Sequence, residues 1–228
     1  MNTLHQFFFG IYPYIALTIF LLGSLVRFER EQQSWKSDSS QLLYAGNLRL
    51  GNTLFHVGVL AIFGGHLVGL LSPLWVWEML GVSHTAKQIF AMLMGGVFGI
   101  VAMVGLIILI HRRFMIDRIS TNSTWRDKLL LIWIFITLGL GLSSIFVSMN
   151  HLDGHEMVQL MKWAQHIVTF RGGAANLIVD AHPIFKMHLF MGMSLFLIFP
   201  FTRMVHVWSG FASALYAIRP WQLVRPRA

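Results

Sequence analysis

Histidines are the residues of this chain whose type and placement could support chemistry. The sequence has 11 histidines among 228 residues, and four of them lie on two long apolar segments. His56 and His66 share one segment, and His188 and His206 share the other. Ionisable side chains inside a hydrocarbon layer are costly and usually functional. One lone histidine could simply hydrogen-bond to a neighbouring helix, but four histidines paired on two helices favour a ligand role.

The spacing of these histidines predicts two stacked sites. At 1.5 Å per residue, His56 and His66 are about 15 Å apart along a helix, and His188 and His206 are about 27 Å apart. The two helices should be antiparallel because three membrane crossings separate them, so His56 should face His206 and His66 should face His188. A spacing of 18 residues returns to the same helix face, whereas a spacing of 10 falls about 80° away. The two sites must therefore approach the first helix from different sides, or that helix is irregular.

Two imidazoles per site suit a haem iron with both axial positions filled, which transfers electrons and does not bind oxygen. Zinc would need three or four protein ligands, and no carboxylate lies within these helices. The chain has no cysteine, which excludes disulfides, protein-ligated iron–sulfur clusters and covalent c-type haem. Several glycines could give a flat macrocycle room beside the helices, although small residues also pack membrane helices. They are Gly58, Gly64, Gly65, Gly69, Gly95, Gly96, Gly99 and Gly192.

The elements that must position these residues are membrane-spanning helices. Hydrophobic residues make up 56% of the chain and charged residues 11%, against about 25% charged in soluble domains. Five segments contain no Asp, Glu, Lys or Arg: residues 1–26, 50–77, 88–111, 129–152 and 187–202. The first four reach the length of about 20 residues that crosses a bilayer, and the fifth helix must continue through Lys186 and Arg203. We predict an all-α integral membrane protein, one domain over residues 1–228 with five transmembrane helices.

The basic residues predict the orientation of the chain. Three segments that lie on the same side, residues 27–49, 112–128 and 203–228, contain 13 of the 17 lysines and arginines. By the positive-inside rule the N-terminus is outside and the C-terminus is cytoplasmic. The net charge of +8 is mostly explained by this topology, so no nucleic acid partner is needed. Some basic groups on the cytoplasmic side should bind haem propionates or a protein partner, with topology alone as the alternative: Arg112, Arg113, Arg203 and the tail at 221–227.

The outer loop offers weaker signals. His151 and His155 have the i, i+4 spacing that could bind a metal on a helix, but loop histidines often have no ligand role. Residues 156–170 could form a helix that lies at the membrane interface.

Five segments of the chain carry a resemblance to a known family. They are FFFGIYPYIA, NTLFHVGVLAIFGGH, WAQHIVTFRGG, KMHLFMGMSLFLIFPFTRMVHVW and the tail WQLVRPRA, and the histidine spacings of 10 and 18 are the most specific part. In these segments the chain resembles the gamma subunit of the membrane-bound respiratory nitrate reductase, a di-haem cytochrome b. The similarity covers nearly the full length.

This resemblance implies two non-covalent haem b groups with bis-histidine ligation and a quinol as substrate. In the family each haem is ligated by one histidine from each of the two helices, which agrees with the pairing argued above. The family's quinol site lies by the outer haem, beside its histidine ligand and a lysine that opens the third helix. The matching residues here are His66, the adjacent Gly65, and Lys87. Without the resemblance, Lys87 would be interpreted as an interfacial lysine that reaches lipid headgroups.

The resemblance also implies a quinol-dehydrogenase subunit in a multi-pass arrangement in a bacterial or archaeal-type inner membrane, in contact with membrane lipids. Quinol would be oxidised at the outer side, and electrons would pass through two haems to an iron–sulfur (beta) subunit at the cytoplasmic face. Nitrate would be reduced in a separate molybdenum (alpha) subunit, which fits the absence of cysteine here. Two alternatives remain: a di-haem cytochrome b subunit of another quinone-linked oxidoreductase, or a histidine-lined transporter of metal ions or protons.

Overall fold

The computed structural model describes residues 2–31, 40, 43–150 and 152–209, and within these ranges all regular structure is helical. Within these described ranges, five helices are long and apolar enough to cross a membrane, which confirms the predicted all-α membrane fold. Numbered in chain order together with one outer-loop helix, the helices are α1 (Thr3–Arg30), α2 (Leu48–Leu71), α3 (His84–Met115), α4 (Trp125–Ser148), α5 (His155–Val168) and α6 (Pro183–Ile198). Shorter helical pieces lie at Leu74–Met79, Asp117–Thr121, Ala174–Ile178, Phe199–Phe201 and Arg203–Val205.

The starts of α3 and α4 are set by capping side chains. The Ser83 hydroxyl accepts a hydrogen bond from the Ala86 amide at 3.1 Å, and α3 begins at His84, directly after Ser83. α4 begins with a capping box in which Thr124 and Asp127 each accept from the other's main-chain N–H at 3.3 Å. These caps satisfy amide groups that have no partner within the helix, so each apolar run begins at a defined residue.

The spanning helices pack in the order α2, α3, α4, α6 and α1. The contact between α2 and α3 depends on small residues: a Cβ at Gly58 would lie 2.5 Å from the Ala102 main-chain nitrogen. A Cβ at Gly99 would lie 2.6 Å from Leu142 on α4. Gly58 and Gly99 therefore allow close helix packing, which at these two positions supports the alternative that small residues pack membrane helices.

One end of the bundle, which we call the Lys87 end, joins the start of α1 to α5. The indole N–H of Trp163 on α5 donates to the Phe9 carbonyl at 2.9 Å, and both residues belong to a buried apolar cluster. α5 nearly coincides with the helix expected at residues 156–170, and it turns Trp163, Ala164 and Ile167 toward that cluster. The opposite end, at the close of α3, is called the Arg112 end.

The last spanning helix does not continue through Arg203, contrary to the sequence prediction. Pro200 has no amide proton to continue the helical ladder, and the chain passes through two 3-10 turns between Phe199 and Val205. Arg27 on α1 donates to the carbonyl oxygens of Pro200 at 2.7 Å and Thr202 at 2.8 Å. A side chain from a neighbouring helix thus satisfies carbonyl groups near the break.

Candidate functional site

Two histidines of α2 each face a histidine from α6 or from the segment that follows it. The ring centroids of His56 and His206 are 6.2 Å apart, and those of His66 and His188 are 6.0 Å apart. The structure therefore brings together the two pairs expected from antiparallel helices. On an ideal helix His56 and His66 point about 80° apart, so their two partners cannot both lie on one helix face. Because the chain leaves α-helical geometry after Ile198, His206 is not held to the helix face of His188.

The two α2 histidines are oriented by their own helix. The Nδ1–H of His56 donates to the Asn52 carbonyl, and that of His66 donates to the Ile62 carbonyl, both at 2.8 Å. A carbonyl oxygen only accepts, so the proton of each ring lies on Nδ1. Each Nε2 then carries the lone pair that can bind a metal.

The two partner histidines use carbonyl groups of different origin. His188 donates from Nδ1 to the carbonyl of Thr137 on α4 at 3.0 Å, and His206 donates to the Arg203 carbonyl at 2.6 Å. All four rings thus have the same tautomer. A carbonyl that accepts from the other ring nitrogen is the usual orienting contact of a metal-ligating histidine.

The distance between the rings of each pair matches one metal ion bound by both. An imidazole–metal bond is about 2.0 Å, and the ring centroid lies about 1.1 Å behind the ligating nitrogen, which gives about 6.2 Å between two trans rings. The observed separations are 6.0 and 6.2 Å. Within the described part of the chain, no group of three or more His, Cys, Asp or Glu side chains could hold a metal ion. Two ligands per site fit an axially ligated haem better than zinc.

Backbone near the His66–His188 pair leaves room for a flat group. Gly69 and Gly192 follow the two histidines by three and four residues, so each lies on the same helix face as its histidine. A Cβ at these positions, or at the other open glycines of α2 and α3, would meet no atom within 4 Å: Gly64, Gly65 and Gly95. The donor set and this space together fit a haem b with two axial imidazoles.

Lys87 is buried at the end of α2 that holds His66. Its side chain is 5% exposed, and its ammonium donates to the Gly69 carbonyl at 3.0 Å and to the Met161 sulfur at 2.9 Å. The same ammonium lies 4.4 Å from the centre of the Trp77 ring. Since Gly69 follows His66 by three residues, Lys87 is bound about one turn from that histidine. This burial contradicts the interpretation of Lys87 as a lysine that reaches lipid headgroups.

α5 packs over Lys87 and caps α2. Met161 is fully buried, and Gln165 donates to the carbonyl oxygens of Leu70 at 3.1 Å and Ser72 at 3.0 Å. The last carbonyl groups of a helix have no partner within it, so Gln165 and Lys87 together satisfy the end of α2. Sequence reasoning missed Gln165 and Met161, because neither charge nor spacing distinguishes them.

Arg112 contacts the segment that precedes α2. It is 4% exposed, and its guanidinium donates to the Tyr44 carbonyl at 2.6 Å and to Ala45 and Ser40 at 3.4 Å. The guanidinium carbon also lies 5.3 Å from the centre of the Tyr44 ring. These contacts give Arg112 a structural role, and its binding to a haem propionate stays a prediction.

Arg203 forms a bidentate ion pair with Asp127 of α4. The Nε–Oδ1 and Nη2–Oδ2 distances are both 2.7 Å. Arg113 donates to the Ser123 hydroxyl at 2.9 Å and lies 3.9 Å from Asp127. A propionate would have to share the Arg203 guanidinium with Asp127. The tail at 221–227 and His151 lie outside the described residues, so the expectations for the tail and for the loop histidines stay predictions.

α4 provides a contact for His188 that histidine spacing does not reveal. A Cβ at Gly141 would lie 2.9 Å from Cε1 of His188, so the absence of a side chain there lets the ring approach α4. The hydrogen bond to Thr137 comes from the turn before. A glycine four residues after a threonine is too common in membrane helices to have marked this site.

Comparison with known proteins identifies the family. The family model of the nitrate reductase gamma subunit matches residues 5–227. The chain is similar to the respiratory nitrate reductase 1 gamma chain of Escherichia coli (strain K12), with 43% identity over 227 residues that cover 100% of both chains. It is also similar to the nitrate reductase gamma chain of Bacillus subtilis (strain 168), with 35% identity over 224 residues, 98% of this chain and 99% of the relative. The resemblance seen in the sequence is confirmed: this chain belongs to the nitrate reductase gamma subunit family and is a membrane subunit of a respiratory nitrate reductase.

Proposed function

We propose that this chain is the di-haem cytochrome b subunit that oxidises quinol and anchors the nitrate reductase complex in the membrane. The observation that supports this most directly is the two facing imidazole pairs, with ring centroids 6.0 and 6.2 Å apart. In every ring the proton lies on Nδ1, so the lone pairs of both Nε2 atoms are available to one iron. When bound, two haem b groups would supply one-electron carriers between the two ends of the bundle.

The four histidines would hold the haems in fixed geometry. His56 and His206 would hold one group, and His66 and His188 would hold the other. The carbonyl acceptors fix the rotation of each ring and strengthen Nε2 as a donor. A haem held by two histidine side chains would carry electrons and would not bind oxygen.

Lys87 is the group best placed to hold the quinol. Its ammonium is bound about one turn from His66, and it can donate to a quinol or quinone oxygen. The Met161 thioether is a weak acceptor, so a quinone oxygen can replace it at the ammonium. Gly65 has no side chain beside His66, which keeps that edge of α2 open to a planar ring.

The distribution of basic residues supports a direction for the reaction. By the positive-inside rule, the Lys87 end faces the outer side of the inner membrane and the Arg112 end faces the cytoplasm. Quinol loses two electrons and two protons as it becomes quinone, and the protons leave to the outer side. The electrons reach the iron–sulfur beta subunit at the Arg112 end. Nitrate is then reduced in the molybdenum alpha subunit, and charge crosses the membrane without a proton pump.

Haem content and spectrum test the ligands. Membranes that contain the complex should show a b-type spectrum with two haems per gamma chain, whereas a metal or proton transporter would be colourless. His66→Ala and His56→Ala should each lose one haem and keep the other. The matched control is His166→Ala, on α5, where Nδ1 contacts the Gly172 carbonyl at 3.3 Å. A protein without haem, or loss of haem from the His166 variant alone, would overturn the assignment.

Quinol kinetics test Lys87. Lys87→Met should retain both haems, and dithionite should still reduce them. Reduction by a quinol analogue should be about 10- to 160-fold slower, because a hydrogen bond to a charged group contributes about 1.5–3 kcal/mol. Lys162→Met is the control, since Lys162 is an exposed lysine on the neighbouring α5. Native quinol rates in the Lys87 variant would show that the quinol binds elsewhere.

A further inference from the structure

We propose that the ion pair between Asp127 and Arg203 is the positioning element of His206, the ligand that follows the broken end of α6. The inference rests on the proposed haem ligation and adds residues of α4 and α1 to the support of the haem at the Arg112 end. It also gives Arg203 a role other than the propionate contact expected from the sequence.

His206 differs from the other three ligands in the element that orients it. The acceptors for His56, His66 and His188 lie in the regular helices α2 and α4. The acceptor for His206 is the Arg203 carbonyl, the first residue of a 3-10 turn. This carbonyl accepts from the main-chain N–H of His206 and, at 2.6 Å, from its ring Nδ1–H. The position of one peptide group therefore sets both the backbone and the ring of the ligand.

A 3-10 turn of three residues cannot hold that peptide group firmly by itself. Its hydrogen bonds have poorer geometry than those of an α-helix, and the preceding Pro200 removes one more donor. Contacts from other helices are needed. The Trp208 indole N–H donates to Ser24 of α1 at 3.2 Å, after His206, and two further contacts reach the residues before it. Arg27 binds the carbonyl groups of Pro200 and Thr202 from the side of α1. Asp127 binds the Arg203 guanidinium from the side of α4, with two hydrogen bonds of 2.7 Å.

Asp127 is itself rigidly held. It is the third residue of α4, and its carboxylate accepts from the Thr124 amide at 3.3 Å as half of the capping box. Its side chain is 12% exposed, so solvent weakens the ion pair less than it would at an open surface. Bidentate pairs between arginine and carboxylate also fix direction as well as distance. A continuous series of contacts thus runs from the start of α4 through Asp127 and Arg203 to the ring of His206.

This series should tune the haem that His206 ligates. The hydrogen bond from Nδ1–H to a carbonyl increases the electron donation of Nε2, which stabilises the oxidised iron. When Arg203 loses its anchor, the carbonyl shifts, this hydrogen bond weakens, and the ring samples more orientations. We expect the midpoint potential of that haem to rise and its low-spin resonance to shift or broaden. The haem between His66 and His188 lies at the other end of α2 and should not respond.

Two variants and one control test this inference in membranes that contain the whole complex. Asp127→Asn removes the charge but keeps an oxygen that can cap α4, so the helix should still form. Arg203→Lys keeps the charge but loses the bidentate geometry. Lys128→Arg is the control, because Lys128 follows Asp127 on α4 and keeps its charge in this variant, but it bonds to Ser120 at 2.9 Å and not to the turn. The measurements are the electron paramagnetic resonance of both haems and a redox titration followed by absorption.

The two haems act as internal references for each other. A changed resonance and a higher potential for the His56–His206 haem alone, in both variants and not in the control, support the inference, as does loss of that haem alone. Native signals from that haem in Asp127→Asn and Arg203→Lys overturn the inference and leave the proposed function intact. Equal changes in both haems also overturn it, because they indicate general loosening of the bundle. Absence of two low-spin haems from the native protein overturns the proposed function instead.

Discussion

Replacing Gly141 tests how the His66–His188 pair is built. A Cβ at this position would lie 2.9 Å from Cε1 of His188 and 3.5 Å from both ring nitrogens. Ordinary carbon contacts begin near 3.4 Å, so Gly141→Ala must displace the ring by about 0.5 Å, and the close packing of α4 and α6 gives little freedom in direction.

That displacement acts on a hydrogen bond with little tolerance. Nδ1 of His188 is 3.0 Å from the Thr137 oxygen, and a shift of about 0.5 Å along this line would lengthen the contact to about 3.5 Å, beyond normal range. Loss of such an orienting partner typically lowers metal affinity about 10- to 100-fold. The helix itself should not suffer, because alanine favours a helix interior over glycine by about 1 kcal/mol. We therefore expect weaker haem retention at this pair without general unfolding.

The matched control is Gly139→Ala on the same helix. Two residues along α4 correspond to a rotation of about 200°, so Gly139 faces away from His188, and a Cβ there would meet no atom within 4 Å. The assay is the retention of each haem during incubation with a haem-binding competitor, followed by absorption and magnetic resonance. Gly141→Ala should release the His66–His188 haem about ten-fold more readily than Gly139→Ala. Equal retention and an unshifted resonance in the two variants would refute the reasoning.

Three further changes have defined outcomes. Gly105→Ala would drive a Cβ into the main-chain nitrogen of Phe55 on α2, and the overpacking of about 1–3 kcal/mol should lower haem content at both pairs. Gly96→Ala makes only an ordinary contact and should not lower it. Loss of one haem only from Gly105→Ala would contradict this. Arg112→Gln should expose the segment before α2 to protease, since the buried guanidinium binds that segment. Unchanged cleavage would count against this role. Trp163→Phe should lower the melting temperature of the complex slightly, because it loses one buried hydrogen bond of about 1 kcal/mol; a value equal to the native one would show that the contact contributes nothing.

The fold and the pairing of the histidines were predictable because local rules determine both. A bilayer requires long apolar helices, so the charge-free runs had to become spanning segments. Once the number of crossings was known, the direction of each helix followed. The pairing of His56 with His206 and of His66 with His188 then followed from position along antiparallel helices. None of these steps needed a side-chain contact.

The contacts that complete the site were not predictable, because they join segments that are distant in sequence. Arg203 and Asp127 are 76 residues apart, and Lys87 and Met161 are 74 apart. Periodicity and charge report only on local structure, so a lysine at the start of a helix is expected at the interface, although here α5 covers it. The break after Ile198 was missed for a related reason: proline is tolerated in membrane helices when neighbouring groups satisfy the backbone, and only the structure identifies Arg27 as that neighbour.

The burial of α2 explains why Lys87 must be tested in two ways. Only 6% of the most apolar stretch of α2 is buried within the chain, against 22% for that of α3, yet α2 provides one histidine to each pair. Its position depends on the glycine contact with α3 and on the groups that satisfy its last carbonyls, Lys87 and Gln165. Lys87 thus has a structural contact with α2 as well as the proposed contact with quinol. Haem retention in Lys87→Met measures the first contribution and the rate of reduction by quinol measures the second, so a slow rate counts toward quinol binding only when both haems remain.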